Sequence, residues 1–175
     1  MVGEIRDPET AEIAIQAALT GHLVFTTVHA NNVFDVIGRF MHMGVDPYNL
    51  VAALNGVVAQ RLLRINCPAC SADCLPDAAT LAASGLAGPL ADFRFRAGRG
   101  CGQCRGSGYR GRRAIAEVLL LDDELRDLIT GRAPLRVLKE TARQRGFISL
   151  REAGLALVRD GLTTLQELNR VTFVA

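Results

Sequence analysis

Four of the five cysteines form two closely spaced pairs, and this pattern carries the clearest chemical signal in the sequence. They are Cys67, Cys70, Cys101 and Cys104, in two C-x-x-C motifs. Each motif can offer two thiolates to one metal ion from a tight turn. In a reducing compartment, paired motifs therefore predict a tetrahedral zinc site with four cysteine ligands. Two free or redox-active pairs are the alternative. Cys74 stands outside both motifs and could replace Cys70 or have no role.

Acid–base candidates lie close to the start of the sequence. If the residues before Glu4 end a buried strand, its carboxylate lies at the edge where α/β proteins bind ligands. There it could polarise a water molecule for attack on a phosphate, although pairing with a helix dipole is the alternative. His29 follows the next predicted strand at the same edge, whereas His22 precedes that strand and lies at its opposite end. His42 falls in a predicted helix and is expected to be structural or exposed.

The elements that must position these residues follow an α/β order. Asp7-Pro8 predicts a helix start and Gly21 its end. The β-branched run from His22 to Val28 predicts a buried parallel strand. Because the preceding strand is reduced to Met1-Val2, exposed apolar surface is expected near this end. Further helix starts are predicted at Val33, Asp46, Asp122, Pro134, Ser149 and Thr164, the last two with capping boxes.

Two later segments, residues 60–65 and 112–120, read as paired strands. The cysteine motifs lie between them, so we expect the connection of this pair to be expanded into the zinc module. Residues 75–100 are rich in Ala, Gly, Pro and Leu, and no element is predicted there.

Composition limits the class of protein. The 175 residues are 49% hydrophobic and 22% charged, a globular balance. No run reaches the roughly 18 apolar residues of a membrane-spanning helix. Acidic residues stand where a signal peptide would be basic and then apolar, so we expect a cytoplasmic protein without a transmembrane segment.

Arginines are concentrated in one acid-free stretch. A solvated surface that offsets a local negative charge is the simplest interpretation, and a patch for a polyanion or anionic lipid is the alternative. A net charge of +2 and the lack of interleaved aromatics predict no nucleic acid partner. The stretch contains Arg94, Arg96, Arg99, Arg105, Arg110, Arg112 and Arg113.

Several segments occur in the order found in the secretion ATPases of the GspE/PilB group, and from Val2 to about Thr172 the chain resembles their C-terminal part. The segments are Gly3-Glu4-Ile5-Arg6-Asp7, Thr20-Gly21-His22-Leu23, Thr27-Val28-His29-Ala30-Asn31, Ala59-Gln60-Arg61-Leu62 and the four-cysteine insertion. The resemblance implies an α/β fold: a partial RecA-like P-loop NTPase core with an inserted four-cysteine zinc module and a C-terminal helical bundle. The implied domains are residues 1–66, 67–111 and 112–175.

The resemblance also implies a function. The chain would be part of a hexameric ATPase that powers protein secretion or pilin-like subunit assembly, with type II secretion preferred. It would be cytoplasmic, peripheral to the bacterial inner membrane and in contact with platform proteins there. ATP and Mg²⁺ are the implied cofactors of the complete motor, and Zn²⁺ that of the module. The alternative is a non-catalytic zinc-binding module that contacts a membrane platform or a neighbouring subunit.

The resemblance assigns roles to individual residues. Glu4 matches the water-activating glutamate, and His22 and His29 match the γ-phosphate-sensing histidines. Gly3, Arg6 and Thr27 are assigned to cofactor binding, and Cys67, Cys70, Cys101 and Cys104 to metal binding. The family's phosphate-binding G-x-x-x-x-G-K-[ST] motif is missing from this sequence, so we expect the isolated chain to be inactive.

Overall fold

A computed structural model describes residues 1–86 and 90–172. Part of the stretch 75–100, for which the sequence predicts no element, therefore lies outside the described residues. In the rest of that stretch the structure has a short helix and a short strand. Within the described ranges, no helix is both long enough and apolar enough to cross a bilayer.

In the described residues, three helices come first, four strands with one short helix among them follow, and four helices come last. The helices are α1 (Pro8–Leu19), α2 (Val33–His42), α3 (Pro47–Ala53), α4 (Ala78–Ala83), α5 (Asp123–Thr130), α6 (Leu135–Gln144), α7 (Leu150–Arg159) and α8 (Leu165–Val171). The strands are β1 (Gly56–Asn66), β2 (Ser71–Asp73), β3 (Arg96–Gly98) and β4 (Tyr109–Leu120), with a 3₁₀ turn at Gly102–Cys104.

Local capping explains where the helices begin. Asp7, Asp46 and Asp122 each accept a backbone N–H bond at a helix start, as the sequence predicts. Ser149 and Glu152 form the complete capping box predicted for α7. Thr164 also caps α8, but the predicted second box is incomplete, because the side chain of the acid three residues later is used elsewhere.

Strands β1 and β4 pair along a two-stranded ribbon. The Leu121 N–H donates to the Asn55 carbonyl and the Cys67 N–H donates to the Gly108 carbonyl, so the two strands are antiparallel. Their connection carries the cysteine motifs and a second antiparallel pair, β2 with β3. The predicted strand pair with an expanded connection is confirmed.

The chain forms two compact units. The first comprises Met1–Ala59 and Glu117–Ile148, with a core that includes Phe34, Ile37 and Leu50. The second comprises Gln60–Ala116 and the residues from Ser149 onward. The predicted division at 66 and 111 stays a prediction.

In the second unit, α7 and α8 pack closely at Gly154. A Cβ atom placed there would lie 2.3 Å from Leu168 Cδ1, so only glycine allows this approach without a shift of Leu168.

The segment from His22 to Ala30 is extended, but it is not the buried strand that its composition predicts. Val2 N–H donates to the Phe25 carbonyl and Ile5 N–H to the Thr27 carbonyl, which gives the predicted parallel direction. Leu23 is 74% exposed and Phe25 64% exposed. The prediction of burial is wrong because no layer of described residues covers these two side chains. The expected exposed apolar surface lies here.

Candidate functional site

Glu4 lies at the centre of a small charged cluster in the first unit. Its Oε2 is 2.5 Å from Arg6 Nη2, and its Oε1 is 2.9 Å from His29 Nε2. The Glu4 side chain is 21% exposed, whereas both partners are largely exposed. The structure therefore brings together Glu4 and His29, the two residues that the sequence places at one sheet edge.

Backbone pairing holds this cluster in place. The hydrogen bonds from Val2 and Ile5 to the segment after α1 bring Glu4 beside the end of that segment, where His29 lies. Thr27 adds a side-chain bond, because its Oγ1 donates to the Gly3 carbonyl at 2.8 Å. Gly3 and Thr27 thus position Glu4 through the backbone.

The surroundings of Glu4 favour its ionised form. The hydrogen bond from Arg6 lowers the pKa of Glu4, against the opposing effect of burial, and the charges of Arg6 and His29 lower it further. Oε1 is buried, and no described group donates an aligned hydrogen bond to it, although His29 Nε2 lies within ion-pair distance. Oε1 is thus the carboxylate oxygen that Arg6 does not engage, and His29 is its neighbour.

The other two histidines have different surroundings. His22 Nδ1 lies 3.1 Å from the Ala17 carbonyl and 3.3 Å from Thr20 Oγ1, at the end of α1. This is the end of the extended segment opposite to His29, as the sequence predicts. His42 is exposed at the end of α2, also as predicted.

Arg6 also faces a large open cavity. This cavity has a volume of about 990 Å³ and includes Ala30, Asn31 and Phe34 in its lining. The volume lies at the upper end of the range typical of small-molecule sites, roughly 300 to 1,000 Å³.

The second unit gathers the four paired cysteines into one cluster. Their sulfur atoms all lie within 4.8 Å of one another. The Sγ–Sγ distances are 3.9 Å for Cys67 and Cys101, 3.8 Å for Cys70 and Cys104, and 3.7 Å for Cys101 and Cys104. Cys74 is outside this group, exposed, with its sulfur 4.0 Å from the Leu75 carbonyl.

The donor set and its spacing fit zinc. A Zn–S distance of about 2.3 Å places the sulfurs of a regular tetrahedron about 3.8 Å apart, close to the distances above. Backbone N–H groups of Cys101 and Gly108 donate to the Cys104 sulfur. Despite the opposing effect of burial, these bonds lower the pKa of Cys104 to about 6, so that sulfur is readily a thiolate. Burial raises the pKa of Cys70 to about 11, and a bound cation would reverse this.

Two glycines allow the cysteine turns to approach each other. A Cβ atom at Gly98 would lie 2.0 Å from the Gly108 carbonyl oxygen, and one at Gly108 would lie 2.5 Å from the Gly98 carbonyl oxygen. Gly108 also has a φ of 75°, which disfavours other residues. Backbone contact at this point brings the second cysteine pair against the first.

Sequence reasoning missed two buried carboxylates. Glu167 accepts bonds from the backbone and guanidinium of Arg64 and from the guanidinium of Arg170. Glu117, on β4, accepts the Val33 N–H at the start of α2. The sequence does carry a sign of Glu117, because it is a glutamate on the face of β4 whose other buried residues are apolar. The pattern around Glu167 instead suggested a cap.

Comparisons with known proteins agree with the resemblance. The family model described as "Type II/IV secretion system protein" matches residues 1–170. The chain is 48% identical to the type IV pilus assembly ATPase PilB of Thermus thermophilus over 95% of this chain and 19% of that protein. It is 45% identical to type II secretion system protein E of Pseudomonas aeruginosa, and 44% identical to type II secretion system ATPase E of Vibrio cholerae. Each of these two matches covers 98% of this chain and 34% of the relative.

Solved structures support the P-loop ATPase fold. The pilus retraction motor PilT with bound ADP matches with a TM-score of 0.64 and 24% identity, over 98% of this chain and 39% of that chain. The ATPase DotB of Yersinia pseudotuberculosis matches with a TM-score of 0.61 and 23% identity, over 97% of this chain and 35% of that chain.

The chain spans from about a fifth to about a third of the length of the curated relatives that it matches.

Proposed function

This chain belongs to the type II/IV secretion system protein family, and from that premise we propose that it is part of a hexameric ATPase motor. The motor drives protein secretion or the assembly of pilin-like subunits from the cytoplasmic side of the inner membrane, through contacts with platform proteins. The observation that carries the proposal is the match to secretion and pilus assembly ATPases along almost the whole chain. Type II secretion is the first of the two processes to test.

Glu4 is the proposed general base. Its Oε2 is engaged by Arg6, whereas Oε1 accepts no aligned hydrogen bond from the described residues. Oε1 is therefore the atom that takes the proton of a water attacking the terminal phosphate of ATP. The low pKa of Glu4 keeps this group ionised at neutral pH.

His29 is the proposed phosphate sensor, and its position suggests how sensing and activation are joined. Nε2 of His29 lies 2.9 Å from the buried Oε1 of Glu4. Because Oε1 is buried, a neighbouring side chain must move before water reaches it, and His29 is the proposed one. A move of His29 toward the terminal phosphate would therefore expose the base when ATP is present. His22, at the other end of the same segment, is proposed to support its orientation.

Gly3, Arg6 and Thr27 are proposed to act on the nucleotide and its Mg²⁺ mainly by holding Glu4. The sequence contains no G-x-x-x-x-G-K-[ST] loop to wrap the phosphates. We therefore propose that this chain alone neither binds nor hydrolyses ATP appreciably.

The four-cysteine cluster is proposed to hold a zinc ion. Cys67, Cys70, Cys101 and Cys104 supply the ligands, and the ion would lock the connection between β1 and β4. This cluster also favours a second candidate function, in which the chain is a non-catalytic zinc module that contacts a membrane platform or a neighbouring subunit.

A chimera separates these proposals. The chain replaces the matching region of the Vibrio cholerae type II secretion ATPase, and the purified chimera is assayed for ATP hydrolysis. We expect activity that falls at least about a hundredfold in Glu4→Gln. An active chimera that is insensitive to this change would reject the catalytic role. A chimera that supports secretion without hydrolysing ATP would favour the non-catalytic module.

The same exchange can be made with the PilB protein of Thermus thermophilus. Restored secretion in the first host, without restored pili in the second, would support type II secretion as the process. The reverse result would favour pilus assembly.

A further inference from the structure

Three exposed arginines surround the second cysteine pair. Arg105 ends the 3₁₀ turn that carries Cys104. Arg110 lies at the same turn, because its Nη1 donates to Gln103 Oε1 at 2.7 Å. Arg99 lies between Gly98 and Gly100, whose backbones approach Gly108 and Gly106. We call Arg99, Arg105 and Arg110 the knuckle arginines.

No carboxylate among the described residues forms an ion pair with the knuckle arginines. A zinc ion held by four thiolates carries a net charge of about −2 and would offset part of the local charge. Seven arginines and no acid lie between Asp92 and Glu117, so most of the positive charge remains available.

The backbone of Arg105 adopts a conformation that is uncommon for a residue with a side chain. Its φ of 52° is in the left-handed region, where glycine is favoured over residues with a side chain. A glycine would fit this turn at lower conformational cost, and the Arg105 side chain is exposed.

The kind of partner follows from what the surface lacks. The aromatic rings of the acid-free stretch are engaged inside the protein: Phe93 stacks on Phe95 at 5.1 Å, and Arg64 covers Tyr109 at 4.3 Å. Base stacking on these rings is therefore not available to single-stranded nucleic acid. From Leu90 to Glu117, a fully described range, no large apolar side chain is exposed for insertion into a bilayer.

We propose that the knuckle arginines form a docking surface for an acidic segment of another protein. Guanidinium groups bind carboxylates through paired, charge-assisted hydrogen bonds, and the turn backbones hold them at fixed points. The proposal deepens the proposed function, on which it rests, by naming the kind of partner that the cysteine module contacts.

The test uses the zinc-loaded chain and a fluorescein-labelled peptide of alternating glutamate and serine. Fluorescence anisotropy should show binding that weakens as salt rises from about 50 to about 200 mM, and no binding of the matching glutamine peptide. The triple variant Arg99→Gln, Arg105→Gly, Arg110→Gln should bind roughly tenfold more weakly, with unchanged zinc content.

A matched control lies in the first unit. Arg132 also has a positive φ, of 51°, and Arg136 and Arg143 are exposed. The triple variant Arg132→Gly, Arg136→Gln, Arg143→Gln removes the same number of positive charges. It also places a glycine at a similar positive-φ position. It should bind the peptide within about twofold of the unaltered chain.

Four results would overturn the proposal: no peptide binding by the zinc-loaded chain, no loss in the knuckle variant, an equal loss in the control variant, or tighter arginine-dependent binding to another polyanion. Phosphatidylglycerol vesicles and a single-stranded oligonucleotide serve as the alternative polyanions. Zinc content and ATP hydrolysis by the chimera are measured separately, so a failure here leaves the motor proposal intact.

Discussion

Glu167 and Arg64 are joined by three hydrogen bonds although 103 residues separate them along the chain. The Glu167 side chain is fully buried, and Arg170 adds two further bonds. Arg64 also stacks over Tyr109, whose hydroxyl lies 2.7 Å from Thr164 Oγ1. This network ties β1 and β4 to the start of α8.

Glu167→Gln should change how stability depends on pH. Burial opposes ionisation, but the bonds from Arg170 and Arg64 outweigh it and lower the pKa of Glu167 from 4.5 to about 2. Because the folded-state pKa is depressed, the stabilisation is present above pH 4.5 and is lost as pH falls toward about 2. Because Arg64 and Arg170 are partly exposed, we expect the free energy of unfolding contributed by ionised Glu167 to be about 2 kcal/mol. Urea unfolding followed by circular dichroism across this range measures it.

Glu12→Gln is the control, since Glu12 is exposed on α1. It should follow the pH profile of the unaltered chain, whereas Glu167→Gln should be less stable at neutral pH and fall less steeply in acid. Identical profiles for all three proteins would contradict the importance of the network.

Gly98→Ala should disrupt the cysteine module. The added Cβ would lie 2.0 Å from the Gly108 carbonyl oxygen, a contact that only a backbone shift can relieve. We expect a cost of roughly 3 kcal/mol and weaker zinc binding. Gly102→Ala is the matched control, because its Cβ would meet nothing within 4 Å. Thermal unfolding and competitive zinc titration compare the two, and similar behaviour would reject the close approach.

Zinc content should depend on four of the five cysteines. We expect a single zinc ion in the purified chain, lost in Cys67→Ser and in Cys101→Ser but retained in Cys74→Ser, because only Cys74 lies outside the sulfur cluster. Elemental analysis measures the metal. A chain that folds equally well without metal, or a Cys74 variant that loses it, would count against a structural site with four cysteine ligands.

Local features of the fold could be predicted from sequence, and long-range ones could not. Asp7 and Ser149 predict helix starts, because the side chain of a capping residue accepts a hydrogen bond from the backbone N–H three residues later. The same local reasoning gave a wrong prediction for Glu167: the pattern predicts a capping box with Thr164, whereas the Glu167 side chain binds Arg64. No local pattern gives the contact between the distant backbones at Gly98 and Gly108.

The candidate site divides in the same way. The C-x-x-C spacing predicts which four sulfurs cluster, because each pair shares one turn, whereas it leaves open the part of Cys74, which the structure places outside the cluster. Glu4 and His29 could be placed at one edge by strand logic. Their contact, and the bond of Arg6 to the same carboxylate, depend on how two segments pair, which the sequence alone does not specify.

Arg6→Gln should raise the pKa of Glu4. The hydrogen bond from Arg6 is the largest influence on that carboxyl group and lowers its pKa, whereas Arg39 acts only through its charge and more weakly. Carbon-detected NMR titration of the Glu4 carboxyl group should therefore give the order Arg6→Gln above Arg39→Gln above the unaltered chain, with Arg136→Gln unchanged. In the chimera, the acidic limb of the pH–rate profile should move to higher pH in Arg6→Gln, because more of the base is protonated. An unchanged Glu4 pKa in Arg6→Gln would show that the ion pair between Glu4 and Arg6 does not form in solution.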